Sequence, residues 1–193
     1  MEGFVFCAVN NTEKIDSRIF EAWMKILSRV NKSVLWLSQT LSPSIKINLR
    51  EAAKERGING DRLIFAKRVA DKAIHLSRHK LAGLFLDTTT LNASTTALDA
   101  LWAGLPVLTV RGGRFASRIA TSHLHAIGLE DMVSESLTEY EERAVHLAMQ
   151  PDELGDIRQR LSENRETHPL FQIQRFCATF EKCLEGIHKN HPK

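Results

Sequence analysis

Residues Leu81 to Val107 read LAGLFLDTTTLNASTTALDALWAGLPV. The apolar run Leu84-Phe85-Leu86 stops at Asp87, the segment Ala97 to Ala103 reads as a helix closed by Gly104, and Thr88 to Ser94 between them are small or polar except Leu91. This is strand, hydroxyl-rich loop and helix, the unit from which an open α/β sheet is built. In such sheets ligands settle outside the carboxyl ends of the strands. A helix N-terminus at that edge offers unpaired N–H groups and partial positive charge, which suits a phosphate. Ser94, Thr95 and Thr96 occupy this N-terminus and supply one N-cap candidate and two hydroxyls. Asp99 lies about one helical turn beyond, on much the same side, placed to accept from ribose hydroxyls. The stretch reads as a nucleotide site, although hydroxyl-rich strand-to-helix loops also serve as plain helix caps.

Outward from it the same unit repeats. Upstream, Phe4 to Val9 is a continuous apolar run of the kind buried on both faces of a parallel sheet, ended by Asn10-Asn11-Thr12. Asp16 or Ser17 caps a helix in which Ile19, Phe20, Trp23, Ile26, Leu27 and Val30 form one stripe. Ser33 to Leu37 is a second strand. Ser42-Pro43 starts a helix that stops at Gly57, Arg62 to Phe65 is a third strand, and Asp71 opens a short helix to about His79. Downstream, Pro106 to Val110 is the fifth strand. Phe115 to Ala126, Leu137 to Met149, Pro151 to Asn164 and Phe171 to Ile187 read as helices, with a frayed tail from His188. The expectation is one Rossmann-like domain over 1–193: an α/β parallel sheet with flanking helices in about 1–110 and a mainly helical part over 111–187.

The 193 residues suffice for one domain with a core. No apolar run approaches the ~20 residues of a membrane span, and Met1-Glu2-Gly3 carries no basic region of a signal peptide. Cys7, Cys177 and Cys183 are odd in number without CxxC spacing, which reads as reduced thiols in the cytoplasm. A net charge of +3 is too mild to indicate a nucleic-acid partner.

The dinucleotide fingerprint GxGxxG, the Walker pattern and the GxSxG elbow do not occur, which argues against NAD or FAD binding and leaves a hydrolase without a nucleophile motif. His75 and His79 have i, i+4 spacing but lack a following Glu and a third ligand, so they read as surface histidines rather than metal ligands. Arg111-Gly112-Gly113-Arg114 either cradles an anion or makes a tight turn. Lys72, His75 and Arg78 recur every three residues along one side of their helix, either a solvated basic face or a set that meets a base or phosphate beside the Thr95 loop. Lys14, after the first strand, would complete that ring.

Together FVFCAVNNTEKID, SVLWLSQ, DRLIFAKRVADKAIHLSRHKLAGLFLDT, LNASTTALDALWAGLPVLT, FASRIATSHLHAIGLEDMV and HPLFQ resemble the C-terminal catalytic lobe of O-linked N-acetylglucosamine transferases and their SPINDLY-type relatives. The resemblance runs from about Phe4 to about His188. It implies the GT-B fold, two Rossmann-like lobes with the active site between them, of which this chain looks like the C-terminal, nucleotide-sugar-binding lobe alone. It further implies that Lys14 contacts the diphosphate and assists the leaving group, with Asn11 where a Gln usually stands. The Ala70 backbone would read the uracil edge, Lys72 would lie against the nucleoside, and His75 and Arg78 near the base. Thr95 and Thr96 would hold the diphosphate and Asp99 the ribose. Ser94 replaces the usual His before the Thr-Thr pair, which removes an imidazole from the phosphate end. The implied activity is transfer of a sugar, N-acetylglucosamine from UDP, to Ser or Thr of proteins without metal or cofactor. Fucose on GDP or glucose on UDP are the near alternatives, and a non-catalytic nucleotide-binding module is the other class. The implied partners are an N-terminal lobe, upstream tetratricopeptide helices and a protein acceptor; without them the lobe is expected to be inactive.

Overall fold

The computed structural model describes residues 3–39 and 42–190. Six strands form one parallel sheet: β1 (Val5–Ala8), β2 (Val34–Ser38), β3 (Leu63–Ala66), β4 (Leu84–Leu86), β5 (Val107–Val110) and β6 (Val133–Ser134), in the order β3-β2-β1-β4-β5-β6. Among the described residues eight α-helices accompany them: α1 (Ser17–Arg29), α2 (Pro43–Glu55), α3 (Lys72–Ser77), α4 (Thr95–Trp102), α5 (Ile119–Ala126), α6 (Leu137–Met149), α7 (Pro151–Thr167) and α8 (Ile173–Asn190). The Rossmann-like reading therefore holds, with Phe6 opposite Leu35 on one side of β1 and Leu84 on the other. Strand order reverses between β1 and β4, and the crevice for a ligand opens above such a reversal.

The central strands are buried on both faces, as their unbroken apolar runs require: Phe6, Cys7, Leu84, Phe85, Val107 and Leu108 have no exposed surface. All three cysteines are free thiols, Cys7 buried and Cys177 and Cys183 exposed. The apolar stripe of α1 packs into this core, where Trp23 donates its indole N–H to the Tyr140 hydroxyl (3.1 Å), which in turn donates to the Asp87 carbonyl (3.1 Å). Burial of large side chains of this kind contributes roughly 1.5–3 kcal/mol each.

The helix starts follow local chemistry. Asp16 accepts from the Arg18 and Ile19 amides to cap α1, Asp71 accepts from the Ile74 amide to cap α3, and Pro43 opens α2. Gly57 and Gly104 take the positive φ that ends a helix, +75° and +83°.

Several boundaries differ from the sequence reading. β6 carries no sequence signal because it is only two residues long. The helix expected over 115–126 is split: Phe115–Ser117 is a 3-10 turn and α5 begins after it, because the Ser117 carbonyl and hydroxyl turn back to Gly112 and Arg114. α3 ends at Ser77 and continues as a 3-10 turn over Arg78–Leu81. α8 runs on to Asn190, through the start of the expected tail; residues 191–193 lie outside the described part. The Arg-Gly-Gly-Arg segment bends at Gly113 and Arg114, and Gly112 serves a close approach there rather than a turn that needs positive φ. A Cβ there would stand 2.1 Å from Ser117 Oγ, and Arg111 is spent on Glu135 at 2.8 Å.

Candidate functional site

The crevice at the strand reversal is built on one buried carboxylate. Asp87 directly follows β4 and has almost no exposed surface. Its Oδ1 accepts from the amides of Thr88 (2.8 Å) and Ala93 (2.7 Å), closing the hydroxyl-rich loop, and from Asn10 Nδ2 (3.4 Å). Its Oδ2 accepts from Thr109 Oγ1 on β5 (2.7 Å). Burial pushes this carboxyl up to about 6, against the hydrogen bonds and the nearby Lys14 charge, which pull the other way.

Asn10 follows β1 and fixes the helix terminus across the crevice. Its amide nitrogen faces Asp87 and Thr88 Oγ1 (3.3 Å), so its oxygen must face Thr96, whose hydroxyl donates to it at 2.6 Å. The only hydroxyl proton of Thr96 is thus consumed, and what Thr96 offers an anion is its backbone amide. The amides of Thr95 and Thr96 are the first of α4, donors that a helix leaves without an acceptor of its own. The Ser94 side chain makes no cap bond. Lys14 reaches this loop and donates from Nζ to the Asn92 carbonyl at 2.9 Å.

Beside this end lies an open cleft of about 630 Å³, whose lining includes Asn11, Ala70, Lys72, His75, Arg78 and Thr96. Lys72 Nζ pairs with Asp99 Oδ2 at 2.5 Å, and His75 Nε2 stands 3.7 Å from the same oxygen. Asn11 accepts from the Glu13 amide (3.4 Å), capping its own turn. The residues singled out in the sequence thus converge on one edge of the sheet: six line the cleft, Asp99 pairs with Lys72, and Lys14, Ser94 and Thr95 gather at the α4 terminus.

The two histidines are not the surface pair that their spacing suggested. His79 is buried, with Nδ1 on the His75 carbonyl at 3.0 Å, and burial lowers its pKa. Among the described residues no group of three or more His, Cys, Asp or Glu is placed to hold a metal ion. The roles of Asn10, Asp87 and Thr109 escaped the sequence reading. The available signal was an acidic residue between an apolar strand and a small polar loop, and that signal does not show which remote groups the carboxylate collects.

A profile of glycosyl transferase family 41 matches residues 1–180. The chain belongs to that family. It is 35% identical over 190 residues to a UDP-N-acetylglucosamine–peptide N-acetylglucosaminyltransferase of Caenorhabditis elegans, covering 98% of this chain and 16% of that protein. It is 38% identical over 180 residues to a probable enzyme of the same name, SEC, of Arabidopsis thaliana, covering 93% of this chain and 18% of that one. Among solved structures, a mutant O-GlcNAc transferase of Thermobaculum terrenum superposes with a TM-score of 0.88 at 28% identity, over 94% of this chain and 35% of that one. The sheet and helices described above are thus the GT-B lobe of a family 41 enzyme, and the chain spans about a sixth of the curated relatives it matches.

Proposed function

We propose that this family 41 lobe binds the nucleotide-sugar donor of a protein O-glycosyltransferase and moves N-acetylglucosamine from UDP to Ser or Thr together with an N-terminal lobe. The observation that carries the reading is the convergence of Lys14, the free amides of α4 and the Lys72–Asp99–His75 group on the edge where strand order reverses. In this reading the nucleoside lies in the cleft, with the Ala70 backbone and the His75 and Arg78 side chains at the base and Lys72 along the nucleoside. Asp99 accepts from the ribose. Thr95, Thr96 and Lys14 face the diphosphate, beside Asn11 and Ser94. As the bond from the sugar to the diphosphate breaks, negative charge grows on UDP. A fixed ammonium and aligned amides stabilise that charge more than the starting ester, which is the requirement for catalysis. The chemistry asks for no metal or cofactor beyond the donor.

The partner lobe finds support in α8. Ile173, Phe176, Phe180, Leu184 and Ile187 repeat at helical spacing and are all half or more exposed, a continuous apolar stripe along the helix. No helix among the described residues is long and apolar enough to cross a membrane. In this reading the enzyme is cytoplasmic, where Cys7, Cys177 and Cys183 stay as free thiols.

Calorimetric titration with UDP, GDP and UMP tests the reading. UDP is expected to bind more tightly than both others, and Asp99→Asn to cost about 1–3 kcal/mol of that binding while leaving the thermal midpoint nearly unchanged. Preference for GDP would redirect the donor to a guanosine sugar. Unchanged UDP affinity with a clearly lowered midpoint would assign Asp99 to structure and favour a non-catalytic module.

A further inference from the structure

Arg78 lines the cleft, yet its guanidinium is already engaged on three sides. One nitrogen donates to the Lys67 carbonyl at 2.7 Å. Its central carbon, Cζ, lies over the Trp36 ring, 5.5 Å from the centroid. The other terminal nitrogen sits 3.1 Å from His75 Nδ1. A guanidinium has donors and no acceptor, so Nδ1 of His75 must carry the lone pair. The imidazole proton is then on Nε2, the nitrogen that stands 3.7 Å from Asp99 Oδ2.

We propose that Trp36 and Arg78 are positioning residues that lock His75 as its Nε2–H tautomer, so that the cleft presents a fixed hydrogen-bond donor beside Asp99 to the nucleoside. The proposal deepens the nucleotide-sugar reading and rests on it for the identity of the ligand. Trp36 is half-buried on β2, so its ring is held by the sheet while one face remains available to the guanidinium. His75 is held from a second side by the His79 ring, edge-on at 5.0 Å. The charged groups around His75 are Arg78 and Lys72 from its own segment and Asp99 from α4; His79 is the further titratable neighbour. Burial, then Arg78, lowers the His75 pKa against the pull of Asp99, with Lys72 adding a smaller push in the same direction as Arg78. A neutral, single-tautomer imidazole is what these surroundings select. Arg78 stands where α3 gives way to a tighter turn. The side chain turns back toward His75 and the Lys67 carbonyl instead of continuing a solvated basic face.

Long-range proton–nitrogen correlation spectra of the full chain labelled at histidine nitrogen test this, with His75→Gln used for assignment. In the unliganded protein at pH 7.5, His75 is expected as one tautomer protonated at Nε2. Arg78→Met and Trp36→Leu are expected to give mixed tautomers and to weaken UDP binding by roughly three- to tenfold. Trp36→Phe, which keeps a ring under the guanidinium, is expected to restore both. Circular dichroism midpoints identify any variant that fails to fold, and Trp36→Phe and Arg78→Met then carry the test. A tautomer mixture or an Nδ1–H form in the parent chain overturns the proposal, as does a spectrum that Arg78→Met leaves unchanged. A locked Nε2–H tautomer in a chain that does not bind UDP would instead overturn the nucleotide reading and leave the lock standing.

Discussion

Asp87→Ala is expected to destabilise the protein by roughly 3–5 kcal/mol, since it strands several buried donors at once and each costs on the order of 1–3 kcal/mol. The Thr88 and Ala93 amides, the Thr109 hydroxyl and the Asn10 amide would all lose their acceptor. For a chain of this size that lowers the thermal midpoint by roughly 6–20 °C. Asp87→Asn keeps an acceptor at the Oδ1 position and should lose less. The pH dependence identifies the group. Its folded pKa of about 6 lies above the ordinary 3.8, so between about pH 4 and 6 the folded state binds the extra proton. Stability from this group is therefore greatest at low pH, falls as pH rises through the window and is level above it. Carboxylates held below their ordinary range, such as Asp16, act with the opposite sign at lower pH. The informative quantity is thus the midpoint of the parent minus that of Asp87→Asn, measured from pH 4 to 8. A difference that does not change with pH would show that Asp87 is not the titrating group.

Lys14→Ala is expected to remove most of the preference for UDP over UMP. The ammonium now rests on the Asn92 carbonyl, a neutral partner that a diphosphate oxygen can replace. A charge-assisted contact of this kind is worth roughly 1.5–3 kcal/mol, or about 10- to 100-fold in affinity. The loss should fall on UDP and leave UMP nearly unaffected, with little change in stability. Equal losses for the two ligands would move Lys14 from the second phosphate to the nucleotide as a whole, and no loss would remove it from the site.

The sequence made the sheet legible because parallel strands buried on both faces are apolar runs, and because Asp16, Asp71, Pro43, Gly57 and Gly104 act within a few residues of themselves. The site was legible where residues share a helix or loop, as Lys72, His75 and Arg78 do, and through family resemblance where they do not. The carboxylate under the site was not legible. Asp87 and Asn10 are 77 positions apart, and no local pattern announces the pairing. The Thr96 hydroxyl shows the same limit, since it looked like a phosphate donor until Asn10, 86 positions away, took its proton. Likewise, i, i+4 spacing says that His75 and His79 share a face, but the surrounding fold decides which of them is buried. β6 was invisible because two residues cannot display a period.

The burial of Cys7 gives the molecule an internal clock. Burial pushes its thiol up to about 12, so at pH 8 only on the order of one in ten thousand of these sulfurs is the nucleophilic thiolate, and no reagent reaches it through β1 while the sheet is closed. Cys177 and Cys183 stand exposed on α8. A mass spectrum taken during alkylation should therefore show two adducts quickly and a third only as the central strand opens. The rate of that third step measures how often the heart of the lobe comes apart, with no label to introduce and no residue to change.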